Sequence, residues 1–453
     1  MNRLIIPSTI VDTIERFLAS KAPLEEGAFC LVRGGSGLTG TRLLATELEL
    51  PPPGAWEAQH HDQLVPSTSW ISALIGKTIS AKAGLLFIHS HPESEFPPGL
   101  SPTDVRAFTE MGHSIAPMLD GPLAAVVVHP TGWSGVVWKD GKIVPIERIQ
   151  SLGRILRFLS PVSPARNDLL DLRQRDALGV VQDVLCHLSV AVIGCGGIGS
   201  PLAEQLVRMG VGELLLIDHD RLDTPSNVRR VFGSTVNDLA AHTAPTKVAV
   251  ASQHLNRIGL STMIRTIEGD VRTEAVARAL LDVDIVLIGT DTHGSRAVIN
   301  DLVSAYFLPA IDVGVRVGTK LDGSLAGLFA EVRILTPATP CLWCRGTLNG
   351  ATIAAENLLV DERRSRAQEG YVVGGVGEPV PSVVALTVLG SGLAASAMLA
   401  MLSENGEVAP TGYLIDGFFG DTHLFAGDEP KATCRCQQIH GRADDALIAF
   451  VSK

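Results

Sequence analysis

The chain of 453 residues carries three groups of side chains whose types and spacing can do chemistry. One is a run of glycines, Gly194, Gly196, Gly197 and Gly199, between the apolar stretches Val190 to Ile193 and Leu214 to Ile217. Glycines there let the backbone turn tightly and approach a phosphate, and the helix that follows adds the partial positive charge of its N-terminus. A second group is His89-Ser90-His91 followed by Asp104. Residues two apart on a strand point to the same side, so both imidazoles can face one ion. Asp104, in the first turn of a helix opening at Ser101, can reach the same point. Two imidazoles and a carboxylate leave the fourth zinc position to water, as in catalytic sites. Glu26 or Glu25, on the neighbouring strand, can take the proton from that water. The third group is Cys341/Cys344 with Cys434/Cys436. Four thiolates close a tetrahedral, structural zinc site.

Each group has an ordinary reading as well. A glycine run with an acidic residue some way on, here Asp218, also marks nicotinamide-dependent dehydrogenases. Ser-x-x-Asp is a common helix cap, and an aspartate in a first turn suits the helix dipole. The weight lies in the order in which the pieces come.

Apolar periodicity supplies the elements that must position these groups. Ile10, Val11, Ile14, Phe17 and Leu18 share one face of a helix over Thr9 to Ala19, and another helix starts near Ser69. Strands are expected over Ala28 to Val32, Leu43 to Leu50, Leu85 to Ile88, Leu123 to Val128 and Gly135 to Trp138. Together they predict a smaller α/β domain over residues 1–150. A linker over 151–166 follows, with the proline-bearing stretch Ser160 to Arg166. Residues 167–453 form the second domain, a Rossmann-like doubly wound α/β sheet built on the βαβ unit from Val190 to Asp218. A helix over Leu169 to Val184 precedes it.

Composition bounds the function. With 46% hydrophobic and 19% charged residues the chain suits two soluble domains, and a net charge of −11 gives no electrostatic case for nucleic acid or anionic membrane. Seven cysteines, four of them closely paired, predict metal in a reducing compartment rather than disulfides. The first residues lack a signal-peptide pattern, so a cytoplasmic location is expected. Val383 to Leu402 is long and apolar enough to span a bilayer, but its Gly, Ser and Ala content and its lack of a basic flank favour a buried helix.

Beyond the glycine run, Asp218, Asp220, Asn227, Arg230, Lys247 and Asp291 follow in close order. That set resembles the ThiF/MoeB/HesA adenylyltransferases, the superfamily of ubiquitin-activating enzymes, from about Arg173 to the C-terminus. The resemblance implies ATP with magnesium. Asp218 would hold the ribose, Asn227, Arg230 and Lys247 would meet the phosphates, and Asp291 would hold magnesium. Arg173 would reach ATP, often from the partner subunit of a homodimer. The implied partner is a ubiquitin-like or sulfur-carrier protein with a Gly-Gly type tail, with a conjugation target possible. Family members often pass the acyl group to a cysteine in the loop after the zinc knuckle. Here the corresponding stretch, about Ala351 to Pro381, has none.

Glu, HxHP and SxxD in that order resemble the JAMM/MPN metalloproteases, which are isopeptidases. The resemblance implies catalytic zinc on His89, His91 and Asp104. Glu26 would be the general base, and Ser101 would support the oxyanion. The gap from His91 to Ser101 is longer than in the usual motif and contains Pro97, Pro98 and Gly99. Three other readings stay open: a nicotinamide oxidoreductase, an adenylating enzyme for a small molecule or peptide, and a module that binds ubiquitin-like proteins without catalysis.

Overall fold

The computed structural model describes residues 1–61, 63–92, 99–164, 169–240, 243–358, 361–362, 381–403, 410–425 and 429–451. The chain forms two compact units. The first comprises Met1–Ser163 with Ala305–Phe307 and Gly441–Ala446, and the second the remainder.

The first unit is built on a nine-stranded sheet. Its strands are β1 (Arg3–Pro7), β2 (Gly27–Ser36), β3 (Thr41–Glu49), then, past the β4–β5 hairpin (Trp56–Gln59 and Leu64–Pro66), β6 (Gly84–Ser90), β7 (Leu123–His129), β8 (Gly132–Lys139), β9 (Lys142–Ile146), β10 (Arg148–Leu152) and β11 (Leu156–Phe158). The spatial order is β11-β10-β1-β3-β2-β6-β7-β8-β9. Leu4, Ile6, Leu43, Val126 and Ile149 bury one face against Val11, Ile14 and Leu18 of α1 (Ser8–Ala19). Phe29, Leu85 and Leu123 on the other face pack with Trp70 and Leu74 of α2 (Thr68–Ser80) and Phe108 of α3 (Pro102–Ser114). Two-sided burial explains why these strands read as apolar runs.

A domain end at residue 150 is corrected by this sheet. That position lies inside β10, which pairs in parallel with β1 from Arg3↔Arg148 to Pro7↔Leu152. The strand hides from hydropathy because two of its buried residues are polar, Gln150 and Ser151. Of the expected linker, 160–164 lies outside helix and strand, and 165–166 falls outside the described residues.

The second unit holds an eight-stranded sheet. Its strands are β12 (Ser189–Ile193), β13 (Glu213–Asp218), β14 (Met263–Glu268), β15 (Ile285–Ile288), β16 (Ala310–Thr319), β17 (Leu325–Leu335), β18 (Gly412–Asp416) and β19 (Thr422–Leu424). The order is β14-β13-β12-β15-β16-β17-β18-β19. The first five strands are parallel, and the last three add antiparallel pairings. The chain steps outward from β12 to β13 and β14, then returns to the other side of β12 with β15. This is the doubly wound arrangement the glycine run predicts. Its switch point opens a crevice at the carboxyl ends of β12 and β15, where such folds bind ligands.

The expected helix over Leu169 to Val184 is two helices, α4 (Leu172–Leu178) and α5 (Val180–Leu185). Gly179 divides them at φ 53°, a left-handed conformation that costs glycine little. The long apolar helix runs Val384–Met401 and is long and apolar enough to cross a membrane. Half of it is buried, however, and Ser391 Oγ donates to the Ile198 carbonyl at 2.8 Å. At Gly390 a Cβ would sit 3.1 Å from Val315. It is thus seated on the sheet, as a core helix is.

The closest backbone approach lies at the head of α6 (Gly199–Arg208). A Cβ on Gly199 would stand 1.7 Å from the Gly194 carbonyl oxygen. Replacing it forces helix and strand apart. Gly199→Ala is expected to cost at least about 1–3 kcal/mol, as overpacking does, read as a lower melting temperature of the purified chain.

Candidate functional site

The crevice of the second unit collects most of the polar residues singled out in the sequence. Gly194, Gly196, Gly197, Asp218, Asp220, Arg230, Lys247 and Asp291 line it, with Ser382 and Thr387 on the side of the long helix. The glycines have different reasons. Gly194 takes φ 88°, a left-handed turn that directs the chain from β12 into the loop. A Cβ on Gly196 would meet nothing within 4 Å, which leaves its backbone open to a ligand. Gly199 lies behind, in the helix–strand contact.

Asp218 ends β13 and is buried. Its Oδ2 accepts the Cys195 N–H at 2.7 Å, and its Oδ1 accepts the Asp220 N–H at 2.8 Å. Each oxygen keeps a lone pair for a further donor. Lys247, at the start of α7 (Lys247–Ile258), donates to Asp220 Oδ2 at 2.6 Å. Burial pushes the Asp220 carboxyl up, but the Lys247 hydrogen bond and charge outweigh it and hold it below the ordinary value. Asp220 thus anchors Lys247, a role that no spacing in the sequence announces. Asn227 is buried and does not line the crevice; its Oδ1 accepts from Arg230 Nη2 at 3.2 Å. It reaches a ligand through Arg230 rather than directly. Arg296 also lines the crevice and pairs with the buried Asp312 at 2.9 Å.

Asp291 lies exposed just beyond β15, before α9 (His293–Tyr306). The amides of His293 and Gly294 donate to Glu356 Oε1 and Oε2 at 2.9 and 2.7 Å. Glu356 ends the Gly350–Glu356 helix, so a carboxylate distant in sequence caps α9 next to Asp291. Sequence reading missed it, because nothing local marks a cap supplied from 62 residues away. Arg173 is exposed on α4 and does not line the crevice. Of the expected loop, 359–360 and 363–380 fall outside the described residues.

The four paired cysteines converge. Cys341 Sγ lies 3.6 Å from both Cys344 and Cys434 Sγ, and Cys344 Sγ lies 3.7 Å from Cys436 Sγ. These are too long for disulfides, whose sulfurs lie about 2.05 Å apart. They match the roughly 3.8 Å edge of a tetrahedron with zinc–sulfur bonds of about 2.3 Å. The Cys436 hydrogen bond first, and burial second, push the Cys341 thiol far up. A divalent cation offsets that by stabilising the thiolates.

In the first unit His89, His91 and Asp104 also converge. The two Nε2 atoms lie 3.2 Å apart, and each is 3.3 Å from an Asp104 oxygen. Three ligands about 2.0–2.1 Å from one zinc, at tetrahedral angles, stand roughly 3.3–3.4 Å apart. Burial lowers the His91 imidazole, but the Asp104 hydrogen bond and the Glu25 and Asp104 charges raise it above its ordinary value. Burial pushes the Asp104 carboxyl up, and both histidines then hold it well below the carboxylate range. Ser101 caps α3: its Oγ accepts the Asp104 N–H, and its own N–H donates to Asp104 Oδ2 at 2.7 Å.

Glu26 is not the carboxylate at this cluster. Its oxygens accept from Trp56 Nε1 at 2.7 Å, from the Gly27 N–H at 3.0 Å and from Gln59 Nε2 at 3.1 Å. Glu25 Oε1 instead lies 3.4 Å from His91 Nε2. Strand parity is the reason. Gly27 pairs with His89 in antiparallel register, which carries Glu25 opposite His91 and Glu26 opposite Ser90. The segment 93–98, with Pro97 and Pro98, falls outside the described residues.

Zinc analysis of the purified chain is expected to find two ions. Cys344→Ser and His91→Ala should each remove one, and a single ion in wild type would show one cluster to be unable to hold metal. Glu356→Ala is expected to cost about 1 kcal/mol, as the loss of a helix cap does, read by chemical denaturation.

Comparison with known proteins places the second unit. Residues 168–436 match the ThiF family. The rice ubiquitin-like modifier-activating enzyme 5 is 26% identical over 46% of this chain and 53% of its own length. The Escherichia coli sulfur carrier protein ThiS adenylyltransferase is 31% identical over 36% of this chain and 61% of its own. The chain thus spans between half and two thirds of these relatives' lengths. A structure of Escherichia coli MccB with succinimide aligns at TM-score 0.45 and 17% identity, over 60% of this chain and 75% of that one. With more than half of its residues matched, the chain belongs to the ThiF family.

Proposed function

We propose that the ThiF-type unit uses ATP to adenylate the C-terminal glycine carboxylate of a ubiquitin-like or sulfur-carrier protein. We further propose that the first unit is a zinc hydrolase of the JAMM/MPN type, acting on the same class of protein. The observation that carries the first activity is the crevice itself. It joins the open backbone of Gly196, the cations Arg230 and Lys247, and the carboxylates Asp218 and Asp291 at the switch point of a doubly wound sheet.

In the reaction, a carboxylate oxygen attacks the α-phosphorus, the bond to the leaving pyrophosphate breaks, and an acyl-adenylate forms. Arg230 and Lys247 offset the charge that builds on the phosphates. Asp218 accepts the ribose hydroxyls on its remaining lone pairs. Asp291 would hold a magnesium ion, which would supply further charge neutralisation. Asn227 orients Arg230, and Asp220 keeps Lys247 in place until a phosphate takes it over.

The thiols support an end at the adenylate. Four of the seven sit in the zinc-type cluster. Cys195 is fully buried and its thiol is pushed far up by that burial; Cys186 is half-buried and raised by burial and Asp183. Cys30 is likewise buried and pushed far up. A reactive thiolate needs the opposite surroundings. Homodimer formation fits the surface around Arg173, where Leu169, Leu170, Leu172 and Val180 are exposed. Arg173 would then serve the partner's ATP.

For the first unit, the ligand triangle of His89, His91 and Asp104 supports zinc, which supplies Lewis acidity when bound there. Glu25 takes the proton of the attacking water and passes it to the leaving amine as the amide C–N bond breaks. Ser101 keeps its hydroxyl proton for the carbonyl oxygen, since its oxygen serves the helix cap as acceptor only.

ATP–pyrophosphate exchange, with a panel of ubiquitin-fold proteins ending in Gly-Gly, tests the first activity. Exchange is expected to need one panel member and to fall by about 10²-fold or more in Asp291→Ala, the scale of losing a charge-stabilising group. Exchange without any panel member points to a small-molecule or peptide substrate. No exchange, with tight nicotinamide-nucleotide binding, overturns the proposal. For the first unit, Glu25→Gln is expected to slow cleavage of a tail-extended panel member by about 10²–10⁴-fold. Glu26→Gln should slow it far less, and the reverse order would return the general base to Glu26.

A further inference from the structure

Thr290 lines the crevice one residue before Asp291, and the adenylation steps give it no task. Its Oγ1 is buried and has no hydrogen-bond partner among the described residues. Nor has Nε of Arg230, another lining residue. A buried polar group left unpaired costs stability, so one retained at a site asks for a ligand. Hydroxyls are orphaned elsewhere too, at Ser134 in β8 and Ser189 in β12, but neither residue lines the crevice. Position decides what Thr290 meets. The carboxyl ends of the strands stand in the order β13, β12, β15, β16. Asp218 ends β13, the glycine turn follows β12, and Gly289 and Thr290 follow β15. A Cβ on Gly194 would come within 3.0 Å of the Gly289 carbonyl oxygen and 3.3 Å of the Thr290 nitrogen. Thr290 thus flanks the glycine turn on the side away from Asp218, and Val315 of β16 lines the crevice beyond it.

We propose that the Thr290 hydroxyl receives the carboxylate of the substrate's C-terminal glycine, donating to the oxygen that does not attack. The inference rests on the adenylation reading above. A nucleotide with its ribose on Asp218 and its phosphates over the glycine turn has Thr290 on the other flank of the α-phosphorus. The ribose closes one approach, so the carboxylate comes from the side of β15 and β16. A hydroxyl can turn its proton to the acceptor that arrives, and a charged acceptor makes the stronger bond. With one oxygen held, the other points a lone pair at the phosphorus. That oxygen forms the new P–O bond, the bond to pyrophosphate breaks, and pyrophosphate leaves with the electron pair. Thr290 keeps its proton throughout, so it orients the nucleophile and takes no part as acid or base.

Thr290→Val and Thr290→Ser, made in the full chain, provide the test. Valine keeps the shape and removes the orphan, so its melting temperature is expected to match or exceed that of wild type. The binding probe is a hexapeptide ending in Gly-Gly, as free acid and as C-terminal amide. It is titrated calorimetrically into the chain saturated with α,β-methylene-ATP. Wild type and Thr290→Ser are expected to bind the acid at least about tenfold more tightly than the amide, the scale of one hydrogen bond to a charged group. Thr290→Val should lose that preference, while the affinity for α,β-methylene-ATP stays the same in all three. With the panel protein that supports pyrophosphate exchange, kcat/KM should fall about tenfold or more in Thr290→Val and recover in Thr290→Ser. No preference in wild type, a preference that survives in Thr290→Val, or a loss of nucleotide affinity there overturns the assignment. Equal exchange by wild type and Thr290→Val leaves the adenylation reading standing and sinks the role of Thr290. An acid preference that depends on Thr290, without exchange by any panel member, keeps the carboxylate site and sinks the adenylation reading.

Discussion

The second unit depends on a place where backbone meets backbone with no side chain between. The carbonyl of Gly194 would lie 1.7 Å from a Cβ on Gly199, and a Cβ on Gly194 would come within 3.0 Å of the Gly289 carbonyl. The end of β12, the end of β15 and the first turn of α6 can converge only because all three positions are glycine. Once they converge, the rest of the crevice is set. The N-terminus of α6 faces the opening between two parallel strands, and Asp218 is close enough to bind the Cys195 amide. The residue that follows β15 in the chain, Asp291, arrives on the rim.

Charge in this crevice is compensated before any anion arrives. Unpaired charge away from water is costly, and a site for phosphates must still hold cations when empty. Lys247 is paired with Asp220, Arg230 is held by Asn227, and Arg296 shares Asp312 with Arg333 at 2.9 Å. The partners differ in strength. A neutral amide holds Arg230 more weakly than a carboxylate holds Lys247, so Arg230 is the cation released at least cost. Asp312 is almost fully buried between two arginines, which suits a fixed structural pair rather than a mobile one.

What could be read from the chain was whatever local patterns encode. The glycine run, the apolar parallel strands and the paired cysteines announce themselves within a few residues. Features set by register or by distant contacts do not. Glu25 and Glu26 are equivalent in sequence and differ only once Gly27 is known to face His89. Strand β10 was invisible because Gln150 and Ser151 are buried polar residues in a sheet whose partner, β1, lies at the other end of the unit. Asp220 and Glu356 act through contacts with Lys247 and with the head of α9, and neither spacing carries a local signal. Gly179 falls inside the helix expected over Leu169 to Val184, whereas its positive φ divides two.

The pattern at Ser101 and Asp104 also shows that an ordinary reading and a functional one need not compete. Ser-x-x-Asp forms a full capping box, with both reciprocal hydrogen bonds present. In doing so it fixes the Asp104 carboxylate: Oδ2 is tied to the Ser101 amide, and the same group faces both histidines. The cap therefore removes the rotamer freedom that a metal would otherwise have to freeze out on binding. His89 is held by different means. Its Nδ1 is buried with no hydrogen-bond partner among the described residues, and Phe87 stacks on its ring at an interplanar angle of 11°. Histidine ligands usually donate that N–H to an acceptor that raises their basicity. Without one, the imidazole would be a poorer electron donor to an ion held there.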